Sequence, residues 1–233
     1  MNHPILLVAA REFRQIAATR SFWITLLILP LALAIGPIAA HMMDKSHTAA
    51  VMVIDPSGQA APAIARRLQL DAQRATLDAL SDYSERHDLD RVDPSAPWAR
   101  HDVYYADAEV DAFVRAGGAA HAEAAMRRAA PPGTTPFKAP DPDFRIVEAP
   151  PAIAAAAPAA LDRLIPGLID PRGKQAEPLD YAVYVPADLA GGAPVKIWSD
   201  GAPPGDLMAA LRETLTRTMR MGFLARQIGR AHV

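Results

Sequence analysis

Residues Ser21 to Ala40, SFWITLLILPLALAIGPIAA, run for twenty positions without a charge. Nothing else restricts the chain as much, because about 20 apolar residues in a helix cross the hydrocarbon core of a bilayer. Phe22 and Trp23 stand at the start, where amphipathic rings favour the membrane interface. Pro30 and Pro37 would disrupt a soluble helix, but a membrane helix tolerates proline where neighbours satisfy the freed carbonyls. A transmembrane helix over 21–43 is expected. The alternatives are a buried core helix and a cleaved signal peptide ending near Ile38-Ala39-Ala40.

The segment before the run argues against a signal peptide. It is twenty residues long, contains Glu12, and repeats Ile5, Val8, Ala9, Phe13, Ile16 and Ala17 at helical spacing. Arg11, Glu12, Arg14 and Gln15 fall on the other side. Residues 1–20 therefore read as an amphipathic helix in the cytoplasmic membrane interface. Arg11, Arg14 and Arg20 precede the span and only Lys45 follows it closely, which places the N-terminus inside. The plasma (inner) membrane is the expected location, with residues from 44 onward outside.

Composition narrows the rest. The 24 Lys+Arg and 26 Asp+Glu nearly cancel, so there is no field for a polyanion and nucleic acid is not an expected partner. The absence of cysteine removes disulfides, thiolate metal sites, thiol nucleophiles and lipid attachment at cysteine. The 22 prolines imply many turns and short elements.

Beyond the span, short β-like runs alternate with alanine-rich helical ones. Val51–Ile54 is an apolar run closed by the turn signal Asp55-Pro56-Ser57-Gly58, in which Ser57 reads as a turn residue. Ala60 to Leu80 reads as a helix carrying Ile64, Leu68, Leu77 and Leu80. His101–Tyr105 is a possible strand, and Glu109–Ala130 a helix interrupted at Gly117-Gly118. Phe144–Val147, Tyr181–Val185 and Val195–Trp198 read as strands, and Ile153–Leu168 as helical. A closing helix covers 206–227, with Asp206 as its cap. Alternation of this kind predicts a membrane-anchored α/β fold: interfacial helix, one transmembrane helix, and an extracytoplasmic α/β domain over 44–227 with a mixed or mainly parallel sheet. Val51–Ile54 and Tyr181–Val185 are apolar on both faces, as central strands covered by helices should be.

Catalytic and metal motifs are scarce. Gly167–Gln175, GLIDPRGKQ, approaches a phosphate-binding loop but has one residue too many and Gln175 in place of the hydroxyl. No GxSxG surrounds a serine, and none of the seven histidines forms HExxH or HxH. His41 and His47, near the outer end of the span, could meet a metal but read better as solvated. The loop from Asp200 to Asp206 lacks the alternating ligands of a calcium loop. Asp88, Asp90 and Asp93 read as a solvated acidic run. No catalytic, cofactor-binding or metal residues are assigned, and an enzyme is not expected.

The order of parts carries a resemblance. An interfacial helix with R-E-x-R at Arg11–Arg14, then T-R-S-F-W at Thr19–Trp23 entering the first span, resembles the start of type-2 ABC exporter permeases. The likeness is to the sodium-extrusion NatB-like branch. There a strand–turn V-x-V-I-D-P-S-G matches Val51–Gly58, and a strand running into V-P-A-D-L matches Tyr181–Leu189, followed by Val195–Ser199. The resemblance implies a permease subunit without its own ATPase site, driven by a separate ABC ATP-binding subunit that carries the ATP. It also implies membrane lipid and a second permease protomer as partners. Arg11, Glu12 and Arg14 would then contact the ATPase subunit or lipid headgroups, the alternative being ordinary solvated charges. Such a permease continues past residue 227 into further spans, whereas Ile228–Val233 reads as one frame of a sequencing adapter, so 228–233 is expected to be a non-native tail on a truncated gene model. A single-span anchored periplasmic ligand-binding or sensory module is the alternative function.

Overall fold

The computed structural model describes residues 48–169 and 179–230, of which 224–230 are described by backbone alone. The expected interfacial helix over 1–20 and transmembrane helix over 21–43 lie outside the described residues, as do 170–178 and 231–233. Among the described residues, no helix is long and apolar enough to cross a membrane.

The sheet begins with β1 (Ala49–Ile54), whose AAVMVI sequence is buried along almost its whole length. A strand apolar on successive residues must be covered on both faces, which is the position of a central parallel strand. That is where it lies. The sheet order is β2-β1-β3-β4, with β2 (Phe144–Val147), β3 (Tyr181–Tyr184) and β4 (Lys196–Ser199). β1 runs parallel to both β2 and β3, and β4 pairs antiparallel with β3, so the sheet is mixed. Register aligns Val53 with Val183, and Val183 in turn with Ile197.

Side-chain alternation divides the core in two. Val51, Val53, Val183 and Val185 face Ile64 and Leu68 of α1 (Ala60–Arg86) and Leu207, Leu211 and Leu215 of α6 (Gly205–Arg230). Ala50, Met52, Ile54, Ala182 and Tyr184 face the other way, against Ile153 of α4 (Pro151–Ala154) and Leu161 of α5 (Pro158–Leu164). The crossovers β1 to β2 and β2 to β3 thus run in opposite directions over opposite faces. They share one hand, as parallel connections require.

Helix α1 has 27 residues and spans about 40 Å at 1.5 Å per residue. Its first half covers the sheet, and its second half carries a separate cluster. Leu77, Leu80 and Tyr83 pack there with Trp98, Tyr105, Val110, Phe113 and Met126. The partners come from α2 (Asp107–Arg115), α3 (Gly118–Ala129) and two single 3₁₀ turns, Asp90–Val92 and Pro97–Ala99. The described architecture is a three-layer α/β/α domain with a helical satellite on the distal half of α1.

Several elements differ from expectation. α1 continues past Leu80 to Arg86, because Tyr83 and Ser84 stay buried; it ends where Asp88 turns to φ 54° and the Leu89 amide reaches back to the Ser84 carbonyl. No strand forms at 101–105. The helical run expected at Ile153–Leu168 is two short helices, each opened by a proline. The last helix starts at Gly205, so Asp206 lies inside its first turn, and its backbone continues through 228–230. The break at Gly117-Gly118 appears as expected, with φ 104° and 57°.

The turn after β1 shows how the first crossover starts. Asp55 Oδ2 accepts from the amides of Ala60 (2.6 Å) and Ala61 (2.9 Å), while Oδ1 accepts from the Ser57 amide (3.0 Å) and hydroxyl (2.6 Å). Ser57 is a turn residue. Burial pushes the Asp55 carboxyl up, but the bonds from the Ser57 side chain and the Ala61, Ala60 and Ser57 amides outweigh it and hold it below its ordinary value. A lowered folded pKa contributes stability that is complete above the ordinary aspartate range and is lost as pH falls through the folded value. Asp55→Asn should therefore cost about 1–2 kcal/mol at neutral pH. In urea titrations the gap from the parent should close below about pH 4. A gap that persists undiminished at acid pH would show that the carboxylate charge is not what holds the turn.

Candidate functional site

The residues singled out as ATPase or headgroup contacts, Arg11, Glu12 and Arg14, lie outside the described residues, as do His41 and His47. Gly167–Gln175 is described only as far as Ile169. In open α/β sheets the usual ligand position is the crevice at the carboxyl ends of the strands, where the chain direction switches. Here that position is the end of β1, and Asp55 supplies the protein's own carboxylate to the first amides of α1. An anion arriving there would compete with Asp55.

Other clefts lie elsewhere. The first, about 480 Å³, is bounded by α1, α6, Tyr104 and the start of β2. Its wall is an ion network. Arg74, with a side chain only 10% exposed, donates to the Tyr105 carbonyl (2.9 Å), to Asp71, and to Asp107 Oδ1 (2.5 Å). Arg67 bonds Asp71 at 3.0 Å and reaches Asp107 at 3.4 Å and Glu213 of α6 at 3.3 Å. Burial works against the Arg67 charge, but Asp71, Glu213 and Asp107 outweigh it and raise its pKa further. Tyr104, three-quarters exposed, stacks on Arg74 with the guanidinium carbon 5.1 Å from the ring centre. Burial raises the Asp78 carboxyl, Arg74 draws it partly back, and Asp82 adds to the rise. These charges satisfy one another, and the network fastens α2 and α6 to α1.

The second cleft, about 590 Å³, lies within the helical satellite. Its floor is Trp98 and Phe113, both almost fully buried, and its sides are short: Ala96, Ala112, Ala116 and Ala122 leave the space open. The left-handed turn between α2 and α3 shapes one end, since a Cβ at Gly117 would lie 2.8 Å from that of His121. Polar groups stand around the rim. Asp93 Oδ1 accepts from the Ser95 amide (3.1 Å) and hydroxyl (2.6 Å). Arg100 pairs with Glu109 at 2.6 Å, and Glu109 also accepts from the Ala106 amide at 2.9 Å. His121 faces the cleft from α3. Hydrogen bonds from the Ser95 side chain and amide lower the Asp93 carboxyl, and the nearby His121 adds to this. Volume, aromatic floor and a few convergent polar groups are the features of a small-molecule pocket.

A serine–histidine pair lies behind this cleft, with Ser81 Oγ 2.9 Å from His101 Nδ1. It lacks the geometry of an activated nucleophile. Ser81 is 4% exposed and directs its proton to the Arg100 carbonyl at 2.7 Å, so it pins the loop instead. Among the described residues there is no group of three or more His, Asp or Glu placed to hold a metal ion.

Sequence reasoning missed the satellite cleft. Asp93 reads as one of a solvated acidic run, and nothing marks Trp98, Phe113 and His121 as neighbours. The local signal was D-P-S at 93–95, which repeats the D-P-S of 55–57 and forms the same Asp-to-Ser hydrogen bonds. No family model, no curated protein and no solved structure matches this chain.

Proposed function

We propose that the chain is the N-terminal part of a type-2 ABC exporter permease, anchored by the helix at 21–43 and exposing its α/β domain outside the membrane. The observation that carries this reading is the uncharged run Ser21–Ala40, followed within a few residues by the domain's first strand. The resemblance gains support from one feature of the fold. Its two motif-bearing segments, Val51–Gly58 and Tyr181–Leu189, form the adjacent central strands β1 and β3 although 130 residues separate Val51 from Tyr181. On this reading ATP is bound and hydrolysed by a separate subunit, and the interfacial helix with Arg11, Glu12 and Arg14 meets that subunit or the lipid headgroups. A second reading, an anchored ligand-binding module, is favoured by the satellite cleft with its aromatic floor.

Topology and partnership test both. On this cysteine-free background, Ser46→Cys should react with a membrane-impermeant maleimide in intact cells, and Thr19→Cys only after permeabilisation. Labelling of Ser46→Cys only after permeabilisation would overturn the topology. Co-purification of an ABC ATP-binding subunit with the chain is expected for a permease. A correctly inserted chain that captures no ATPase subunit from its native membrane would favour the binding module.

A further inference from the structure

We infer that the satellite cleft between the loop at 93–100, α2 and α3 is a binding site for a small amphipathic amine. The ammonium would be held by Asp93 and the apolar body would lie on Trp98 and Phe113. The inference holds on either reading of the membrane attachment, because every residue it uses lies between 93 and 122.

Three features of the cleft select this chemistry. The first is size, since about 590 Å³ is within the usual range for a small organic ligand, roughly 300–1,000 Å³, and far larger than a bare ion requires. The second is the floor. The exposed edges of two aromatic rings and the alanine sides give the cleft an apolar lining for a ring or short chain. The third is charge. Glu109 and Arg100 neutralise one another across 2.6 Å, and Glu109 is further committed to the Ala106 amide. Asp93 has only the Ser95 and Ala96 donors and, among the described residues, no guanidinium or ammonium partner. Of the two carboxylates on the rim it is therefore the one without a guanidinium or ammonium partner. An ammonium placed there forms a charge-assisted hydrogen bond with this exposed carboxylate. His121 faces the same space, so its protonation would oppose the ligand, and a neutral imidazole would accept or donate a hydrogen bond beside it.

A matched pair of probes tests the assignment on the full chain in nanodiscs: phenethylamine and 3-phenylpropionate, similar in shape and opposite in charge. The protein has three tryptophans, Trp23, Trp98 and Trp198, so its indole ¹⁵N–¹H spectrum has three signals, and Trp98→Phe assigns the relevant one. Phenethylamine should shift the Trp98 signal saturably and leave Trp198 in place, whereas the carboxylate should leave both unmoved. Asp93→Asn keeps the side-chain acceptor for the turn but removes the charge, and should weaken phenethylamine binding about tenfold. Ala112→Leu fills the cleft from an exposed helix position without touching its charges, and should weaken binding to a similar extent. An unmoved Trp98 signal, equal affinity in Asp93→Asn, or tighter binding of the carboxylate would each overturn the proposal. Unchanged hydrogen-exchange protection of the α2 and α3 amides in both variants confirms that the satellite keeps its fold.

Discussion

Val183→Asp is expected to unfold the domain, or to lower its stability by about 4 kcal/mol where it still folds. Val183 has no solvent exposure and lies in β3, between β1 and β4. Its side chain faces Leu207, Leu211 and Ile64, all fully or almost fully buried and apolar. An aspartate there loses the burial of the valine, about 1.5 kcal/mol or more. It also brings a carboxyl group into a space without a donor. The group must remain charged and unsolvated or take up a proton at neutral pH, and either costs several kcal/mol. Set against a typical stability of about 5–15 kcal/mol, that is a large fraction. Val103→Asp supplies the control, because Val103 is 38% exposed in a loop and its replacement should stay within about 0.5 kcal/mol. The urea midpoint of the full chain, followed through Trp198 beside the opposite sheet face, reads both. Equal midpoints for the two variants would mean that β3 is not the covered central strand described.

What could be read in the sequence was what depended on local pattern. β1 and β3 were legible as central because successive apolar residues leave neither face for water. The helix break at 117–118 was legible because two glycines permit the positive φ that turns α2 into α3. The misreading at 101–105 has the opposite cause. Val103-Tyr104-Tyr105 has strong β-propensity, but Tyr105 is held otherwise: its hydroxyl donates to the Arg100 and Pro97 carbonyls of the preceding loop, and its own carbonyl accepts from the distant Arg74. These bonds hold the backbone in a conformation that joins no ladder. The acidic run 88–93 was read as solvated, and Asp88 and Asp93 are exposed, but each aspartate also has its own place. Asp88 ends α1 in a left-handed turn, Asp90 opens a 3₁₀ turn, and Asp93 closes on Ser95 at the cleft. Arg74 was the least legible. It fills the interval between Leu68 and Leu77 on the buried side of α1, where an arginine reads as a solvated residue until its partners are known: Asp71 on the same helix, and the Tyr105 carbonyl and Asp107 in the segment entering α2.

Arg74 leads to the last expected result: Arg74→Ala should loosen the satellite and leave the sheet intact. The two regions have separate cores, and both are built on α1. Packing of α2 onto α1 is reinforced where Arg74 ties Asp107 and the Tyr105 carbonyl to the helix. Removing the guanidinium leaves that carbonyl without its donor, while Asp71 and Asp107 retain Arg67. Losing one partner of a buried pair costs about 3–5 kcal/mol, and the half-exposed carboxylates place this case at about 3 kcal/mol. Because the lost bonds lie between α1 and the segment entering α2, the cost should appear as local opening rather than global unfolding. Hydrogen exchange resolves the two. Amides of α2 and α3 should lose about a hundredfold in protection, and those of β1 and β3 should change little. Arg74→Lys should recover only part of the loss, since one ammonium cannot reach three acceptors in the fixed geometry of a guanidinium fork. Protection lost equally in sheet and satellite would make the two a single cooperative unit. Protection lost in neither would mean that the apolar cluster of Leu77, Leu80 and Phe113 holds the satellite without the network.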